Sequence, residues 1–216
     1  MPKPAPAAGQ TGPGVPTQGQ GWPDGLRHVL PKLQPELWVF GYGSLMWDPG
    51  FAHAEALHAR VYGYHRALCL LSVRNRGTPE RPGLVLAMDR GGSCHGVAFR
   101  VPAARQAAAL DYLWEREMYT GAYRPVGATT RLADGRRVTA LAFVARPDHA
   151  QYCRTASAEH AARLVVQGHG SYGRSLDYLR HVVRHLDALG IDDGPLHRVL
   201  ACAESLDDCP VAMPPP

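Results

Sequence analysis

The chain has 216 residues and a formal net charge of +4 at pH 7, a length that suits one domain with a sizeable core. The positive excess is scattered rather than gathered into a stripe, so nucleic acid is not an expected partner. No apolar run approaches the roughly 18 residues that span a bilayer, and no basic-then-apolar leader opens the chain; the expectation is a cytosolic protein with no membrane partner.

Residues 1–35 read as a disordered or loosely packed arm. The first 25 are roughly half proline and glycine, which supplies little to bury, and "LRHVL" at 26–30 adds at most one helical turn. The domain proper is expected over 36–205, with a flexible tail at 206–216. Within it, "LWVFGY" at 37–42 is a short aromatic-rich strand of central type. Residues 59–73 form a long strand candidate. Residues 83–89 and 93–101 read as two strands joined by a turn at Gly91-Gly92. A first helix covers about 102–118, with Pro102 in its opening turn. Two strands around Asp134-Gly135 carry the strongest hairpin signal of the chain. A second helix, about 158–167, has Ser157 as N-cap and Gly168 beyond its end. A third, about 176–189, has Ser175 as N-cap and Gly190 as its stop, and a fourth begins at Pro195. Hairpins mixed with helices point to an α+β fold with a largely antiparallel or mixed sheet.

Four stretches could carry chemistry. The first is "GYGS" at 41–44, after a strand. A dinucleotide fingerprint would need glycine where Met46 stands, and Pro49-Gly50 interrupts the helix it requires. A serine-hydrolase elbow on Ser44 would need glycines in place of Tyr42 and Met46. What remains is a tight turn whose N–H groups can face a carboxylate or oxyanion, or a plain strand-end turn. The second is "LDYLWERE" at 110–117. Leu110, Leu113, Trp114 and Glu117 share one helical face, while Glu115 and Arg116 point elsewhere. A glutamate on an apolar stripe is costly unless paired or functional. Desolvation raises its pKa toward neutrality, which suits a general acid/base; pairing with a buried arginine is the alternative.

The third is "SVRNRGTPERPG" at 72–83, where Arg74, Arg76 and Arg81, with Arg66 upstream, could clamp a carboxylate or simply be solvated. The fourth is "GHGSYGRSLDYL" at 168–179, either an anion-facing helix start or a connector. The cysteines Cys69, Cys94, Cys153, Cys202 and Cys209 are odd in number and hold no C-x-x-C, which argues against a disulfide framework and a zinc site. His181 and His185 lie four apart on the third helix, without a carboxylate nearby in sequence to complete a metal site. No metal and no cofactor are expected.

Taken together, "VFGYGSLMW", "NRGTPERPGLVLAM", "CHGVAFRV", "LWEREMYTGAY", "PDHAQY" and "GSYGRSLDYL" resemble the ChaC-like γ-glutamylcyclotransferases, in the family's order, over about residues 37–200. The resemblance implies a small α+β domain with a mixed, strongly curved, barrel-like sheet and flanking helices. It implies conversion of glutathione to 5-oxoproline and cysteinylglycine without cofactor or metal. The catalytic glutamate of the family carries over onto Glu117. Its substrate-binding turn carries over onto Tyr42, Gly43, Ser44 and Leu45, and its active-site tyrosine onto Tyr152. From the basic loop, Arg74 is the candidate substrate contact. The alternatives are cyclisation of other γ-glutamyl amides or amines, and a catalytically silent γ-glutamyl-binding protein on the same fold.

Overall fold

The computed structural model describes Leu26, residues 28–33 and residues 36–208. Most of the expected arm, and the tail beyond Asp208, lie outside the described residues. Strands β1 (Leu37–Gly41), β2 (Glu55–Ser72), β3 (Gly83–Val101), β4 (Tyr123–Leu132) and β5 (Arg137–Ala145) close into a barrel in the order β1-β3-β2-β4-β5. The closure is parallel: β5 pairs with β1 at Trp38 and Val39 and with β3 at Met88. All other barrel pairings are antiparallel, so the sheet is mixed, as expected. Around it stand helices α1 (Gln106–Glu117), α2 (Ala158–Gln167), α3 (Ser175–Ala188) and α4 (Gly194–Asp208). A short ribbon of β6 (His169–Gly170) and β7 (Gly173–Arg174) leads into α3.

β1 is buried at every position because both of its faces meet a core. Alternate residues of a strand point to opposite sides. Trp38 and Phe40 join Leu84, Leu86 and Met88, with Leu176 and Leu179 of α3. Leu37 and Val39 join Leu141 and Phe143 beneath Leu110 and Leu113 of α1. The same second cluster holds Leu26, Val29 and Leu33, which are 1%, 7% and 2% exposed. Packing therefore reaches back into the stretch that composition assigned to the arm, because 26, 29 and 33 repeat at helical spacing and present one apolar face.

Two expectations are corrected. Residues 83–101 form one continuous strand, not a hairpin across Gly91-Gly92. β2 pairs with β3 on both sides of that point, Tyr62 opposite Ser93 and Tyr64 opposite Arg90. Gly91 and Gly92 thus oppose the single Gly63, which is a β-bulge. All three glycines have positive φ (96°, 67° and 85°), which bends the ribbon without breaking it. Ser175 is not the N-cap of α3 but its first residue, and it is fully buried. Its hydroxyl donates to the Leu84 carbonyl at 2.7 Å and accepts from the Leu84 N–H at 3.2 Å, fastening the helix start to β3. Ser157 does cap α2, accepting from the His160 N–H at 3.2 Å. The β4–β5 hairpin turns at Asp134-Gly135, with Gly135 at φ 92°.

Candidate active site

β1 runs out at Gly41 and the chain turns at once into a short 3₁₀ helix, Ser44–Met46. The two glycines of the turn do different work. A Cβ on Gly41 would lie 3.0 Å from the Leu45 Cβ and 3.1 Å from the Leu45 carbonyl carbon, so Gly41 permits the tight reversal. A Cβ on Gly43 would meet only the Tyr178 hydroxyl, at 4.0 Å, so Gly43 keeps a space open. The turn is anchored from below. Arg66, 6% exposed, donates from Nε to the Tyr42 carbonyl at 2.7 Å, from Nη2 to the His95 carbonyl, and from Nη1 to Asp193 Oδ2 at 2.8 Å.

Glu117 ends α1 directly beside this turn. A carboxylate at a helix C-terminus opposes the helix dipole, typically at a cost of about 0.3–1 kcal/mol. Its side chain is 16% exposed, and Oε1 lies 3.2 Å from Nε of Arg116. Arg116 was expected to point away, yet its long side chain folds over the turn. It donates to Ser44 Oγ at 2.8 Å, to the Asp48 carbonyl at 2.7 Å and to the Tyr112 hydroxyl at 2.8 Å.

Tyr42, Gly43, Ser44, Leu45 and Glu117 line one narrow pocket of about 50 Å³, completed by Leu86, Tyr123, Phe143 and Tyr178. It adjoins a groove of about 930 Å³, and Ser44, Glu117, Tyr123 and Tyr178 border both. Glu117 therefore stands at a junction between a small space and a large one. The tyrosines around it hold their protons. Burial, then the charge of Glu117, pushes the Tyr42 hydroxyl well above the ordinary tyrosine value. Burial does the same to Tyr123, and raises Tyr178 to about 12. Tyr123 donates to the Leu86 carbonyl at 2.8 Å, and Tyr178 accepts from the Leu86 N–H at 3.4 Å.

The far wall of the groove is built where 74–83 meets 168–174. These segments touch backbone to backbone. A Cβ on Gly170 would lie 2.4 Å from the Arg74 carbonyl oxygen, and one on Gly168 would lie 2.3 Å from the Gly83 Cα. Ser171 and Tyr172 donate their N–H groups to the carbonyls of Arg74 and Asn75, at 2.9 and 2.8 Å. The glycine-rich stretch before α3 is thus a wall, and its helix start is fastened to β3.

Two residues expected at the site stand elsewhere. Arg74 is exposed and borders neither space; Arg76 lines the groove. Tyr152 is also outside both linings: it donates to Asp89 Oδ2 at 2.6 Å and accepts from Arg154 Nε at 2.9 Å, while its neighbour Gln151 borders the groove. Sequence reasoning assigned no role to Tyr123, Tyr178 or Arg116, and it named Arg76 only as one of several loop arginines that could clamp a carboxylate. The signal for the first two lay in the aromatic positions of "TGAY" and "SLDYL".

Among the described residues no group of three or more His, Cys, Asp or Glu side chains could hold a metal. His181 and His185 pack on Trp47 in the groove instead, His185 stacked at 4.2 Å between ring centroids and His181 edge-on at 5.0 Å. Burial raises the Cys69 thiol to about 12 and the Cys94 thiol to about 11, so neither offers a thiolate near neutral pH. No helix among the described residues is long and apolar enough to cross a membrane.

A family model described as ChaC-like protein matches residues 37–206. The chain belongs to the ChaC-like family. Among curated relatives, the glutathione-specific gamma-glutamylcyclotransferase of Escherichia coli (strain K12) is 38% identical over 170 residues, covering 79% of this chain and 74% of that protein. The glutathione-specific gamma-glutamylcyclotransferase 1 of Rattus norvegicus is 31% identical over 201 residues, covering 90% and 87%. The crystal structure of a yeast γ-glutamyl cyclotransferase specific to glutathione superposes with a TM-score of 0.72 at 18% identity, covering 79% of this chain and 96% of that one. That likeness bears on the fold, which this ChaC-like chain shares.

Proposed function

We propose that this ChaC-like protein is a cofactor-free γ-glutamylcyclotransferase acting on glutathione, with Glu117 as general acid/base. The observation that carries the reading is the position of Glu117 where the small pocket opens into the groove. A γ-glutamyl amide has a compact head and a larger leaving group, and its reacting carbonyl lies between them. The head would enter the space lined by Tyr42, Gly43, Ser44 and Leu45, and the dipeptide would lie in the groove.

The reaction needs no protein nucleophile. The substrate's α-amine attacks its own γ-carbonyl: a C–N bond forms, closing the five-membered ring, and the C–N bond to cysteine breaks. At neutral pH the amine is an ammonium and must first lose a proton. A carboxylate in place can accept that proton and deliver it to the leaving amine, so the proton balance closes within one turnover. Glu117 has the required chemistry, and Tyr42 and Tyr178, held protonated by burial, are suited to donate hydrogen bonds rather than to act as bases. Ring closure is intramolecular, so the pocket contributes chiefly by holding the γ-glutamyl chain bent. Backbone N–H groups that open the Ser44–Met46 turn have no acceptor behind them within that helix and are suited to the substrate carboxylate or to the developing oxyanion.

Incubation of the purified protein with glutathione, followed by chromatographic detection of 5-oxoproline and cysteinylglycine in equal amounts, tests this. Neither product forming would end the reading. Equal rates on unrelated γ-glutamyl amines would replace glutathione by a broader substrate class.

A further inference from the structure

We propose that Arg76 is the carboxylate-binding residue of the leaving-group subsite, anchoring the C-terminal carboxylate of a γ-glutamyl peptide. The inference rests on the cyclotransferase reading and extends it to substrate choice.

Arg76 lines the groove together with Glu117 but does not border the inner pocket. Its guanidinium is already held in place. Nη1 donates to the Tyr172 carbonyl and, at 3.3 Å, to the Arg174 carbonyl, and the plane lies 5.4 Å from the Tyr178 ring centroid. Its backbone is equally constrained: the N–H donates to Ser72 Oγ at 2.9 Å, and a Cβ on Gly83 would come within 2.1 Å of the Arg76 carbonyl oxygen. The loop cannot drift without separating the glycine contacts that build the wall.

The charge of Arg76 is not balanced within the wall. Among the described residues no carboxylate lies within 4.0 Å of it. Asp177 lines the same groove, but its carboxylate pairs with Arg180 at 3.5 Å. Asp48, also on the groove, stands 4.0 Å from Arg116. Arg116, the other groove arginine, is paired with Glu117. Desolvation lowers the Arg76 pKa, the mark of a cation removed from water without full compensation. Both of its hydrogen bonds leave from Nη1; Nε and Nη2 donate to no described residue. A fixed guanidinium with one edge uncommitted suits bidentate capture of a carboxylate.

Which carboxylate follows from position. The inner pocket would hold the γ-glutamyl head, so the anion that reaches Arg76 is on the leaving side. γ-Glutamyl amines and C-terminal amides lack it. The residue would therefore separate peptides with a free C-terminus from other γ-glutamyl compounds.

The test compares kcat/KM for glutathione and for glutathione carrying a C-terminal carboxamide, by 5-oxoproline release, in wild type, Arg76→Gln and Arg76→Lys. Wild type should prefer glutathione by about 10–100-fold, the range of a charge-assisted hydrogen bond. In Arg76→Gln the ratio should fall to within about threefold of unity, with Arg76→Lys between, because lysine keeps the charge but not the fork. The ratio is insensitive to partial loss of folded protein. A wild-type ratio near one, or an unchanged ratio in Arg76→Gln, would overturn the assignment. No 5-oxoproline from either substrate in wild type would instead remove the cyclotransferase reading, and this inference with it.

Discussion

Asp193→Asn isolates the ion pair beneath the active-site turn. Arg66 and Asp193 have side chains 2% and 12% exposed, and their 2.8 Å contact leaves little room for water. With charge centres roughly 4 Å apart, the attraction is about 4 kcal/mol at an effective dielectric of about 20. Loss of one member of a buried pair typically costs about 3–5 kcal/mol, because arginine stays charged after its partner is gone. Asparagine keeps the oxygen that accepts from the Leu196 N–H at 3.4 Å, so the start of α4 retains its cap. Unfolding free energy should therefore fall by about 3–5 kcal/mol, and the melting temperature by roughly 10 °C for a domain of this size. Arg66 also holds the Tyr42 carbonyl, so turnover of the remaining folded enzyme should fall as well. Urea unfolding with parallel kinetics measures both. A loss below about 1 kcal/mol would place the pair in the class of solvated ion pairs and refute the argument.

Deleting residues 2–25 should leave the melting temperature nearly unchanged. Deleting through Leu33 should cost several kcal/mol, at about 1.5–3 kcal/mol for each of the buried Leu26, Val29 and Leu33 side chains, as read by thermal unfolding. Gly43→Ala should lower kcat/KM by about 10–200-fold, the usual effect of one methyl group in a tight pocket, with stability nearly kept. Gly77→Ala should do the reverse, destabilising by about 1–3 kcal/mol or more, since its Cβ would strike the Gly83 backbone at 2.1 Å. His197 is raised above about 6.5 by its bonds to the Asp193 carbonyl and the Asp187 carboxylate. Its stabilisation is thus complete at low pH and lost as pH rises through the folded-state value. Asp187→Asn should lower the His197 midpoint in an NMR titration, with a small stability effect because both side chains are solvated.

The parts of the site legible in the sequence are those written locally. The turn at 41–45 declares itself by glycines after an apolar strand, and Glu117 by a carboxyl on an apolar helical face. Tyr178, and which of the loop arginines faces the groove, escape such reading because both arise from contact between segments 96 residues apart. Gly91-Gly92 shows the same limit within the fold. Two successive positive φ values suit both a hairpin turn and a bulge; pairing with β2 on either side decides between them. Ser175 carries the residue type of a cap, yet the exposed-looking hydroxyl is taken by Leu84, 91 positions away. Arg116 sits at the wrong helical angle for the pocket, but its side chain is long enough to cross over the turn.

The central claim is that Glu117 moves the proton. Glu117→Gln keeps size and hydrogen bonding while removing the base, and Glu115→Gln, two positions away on the exposed face, is the control. The decisive measurement is kcat for 5-oxoproline release from glutathione, with thermal unfolding of the same samples. Glu117→Gln should lose roughly 10²–10⁴-fold in kcat per folded molecule, with a lower melting temperature because the buried Arg116 loses its carboxylate, while Glu115→Gln stays close to wild type. A folded Glu117→Gln protein that still turns over glutathione at the wild-type rate would contradict the account.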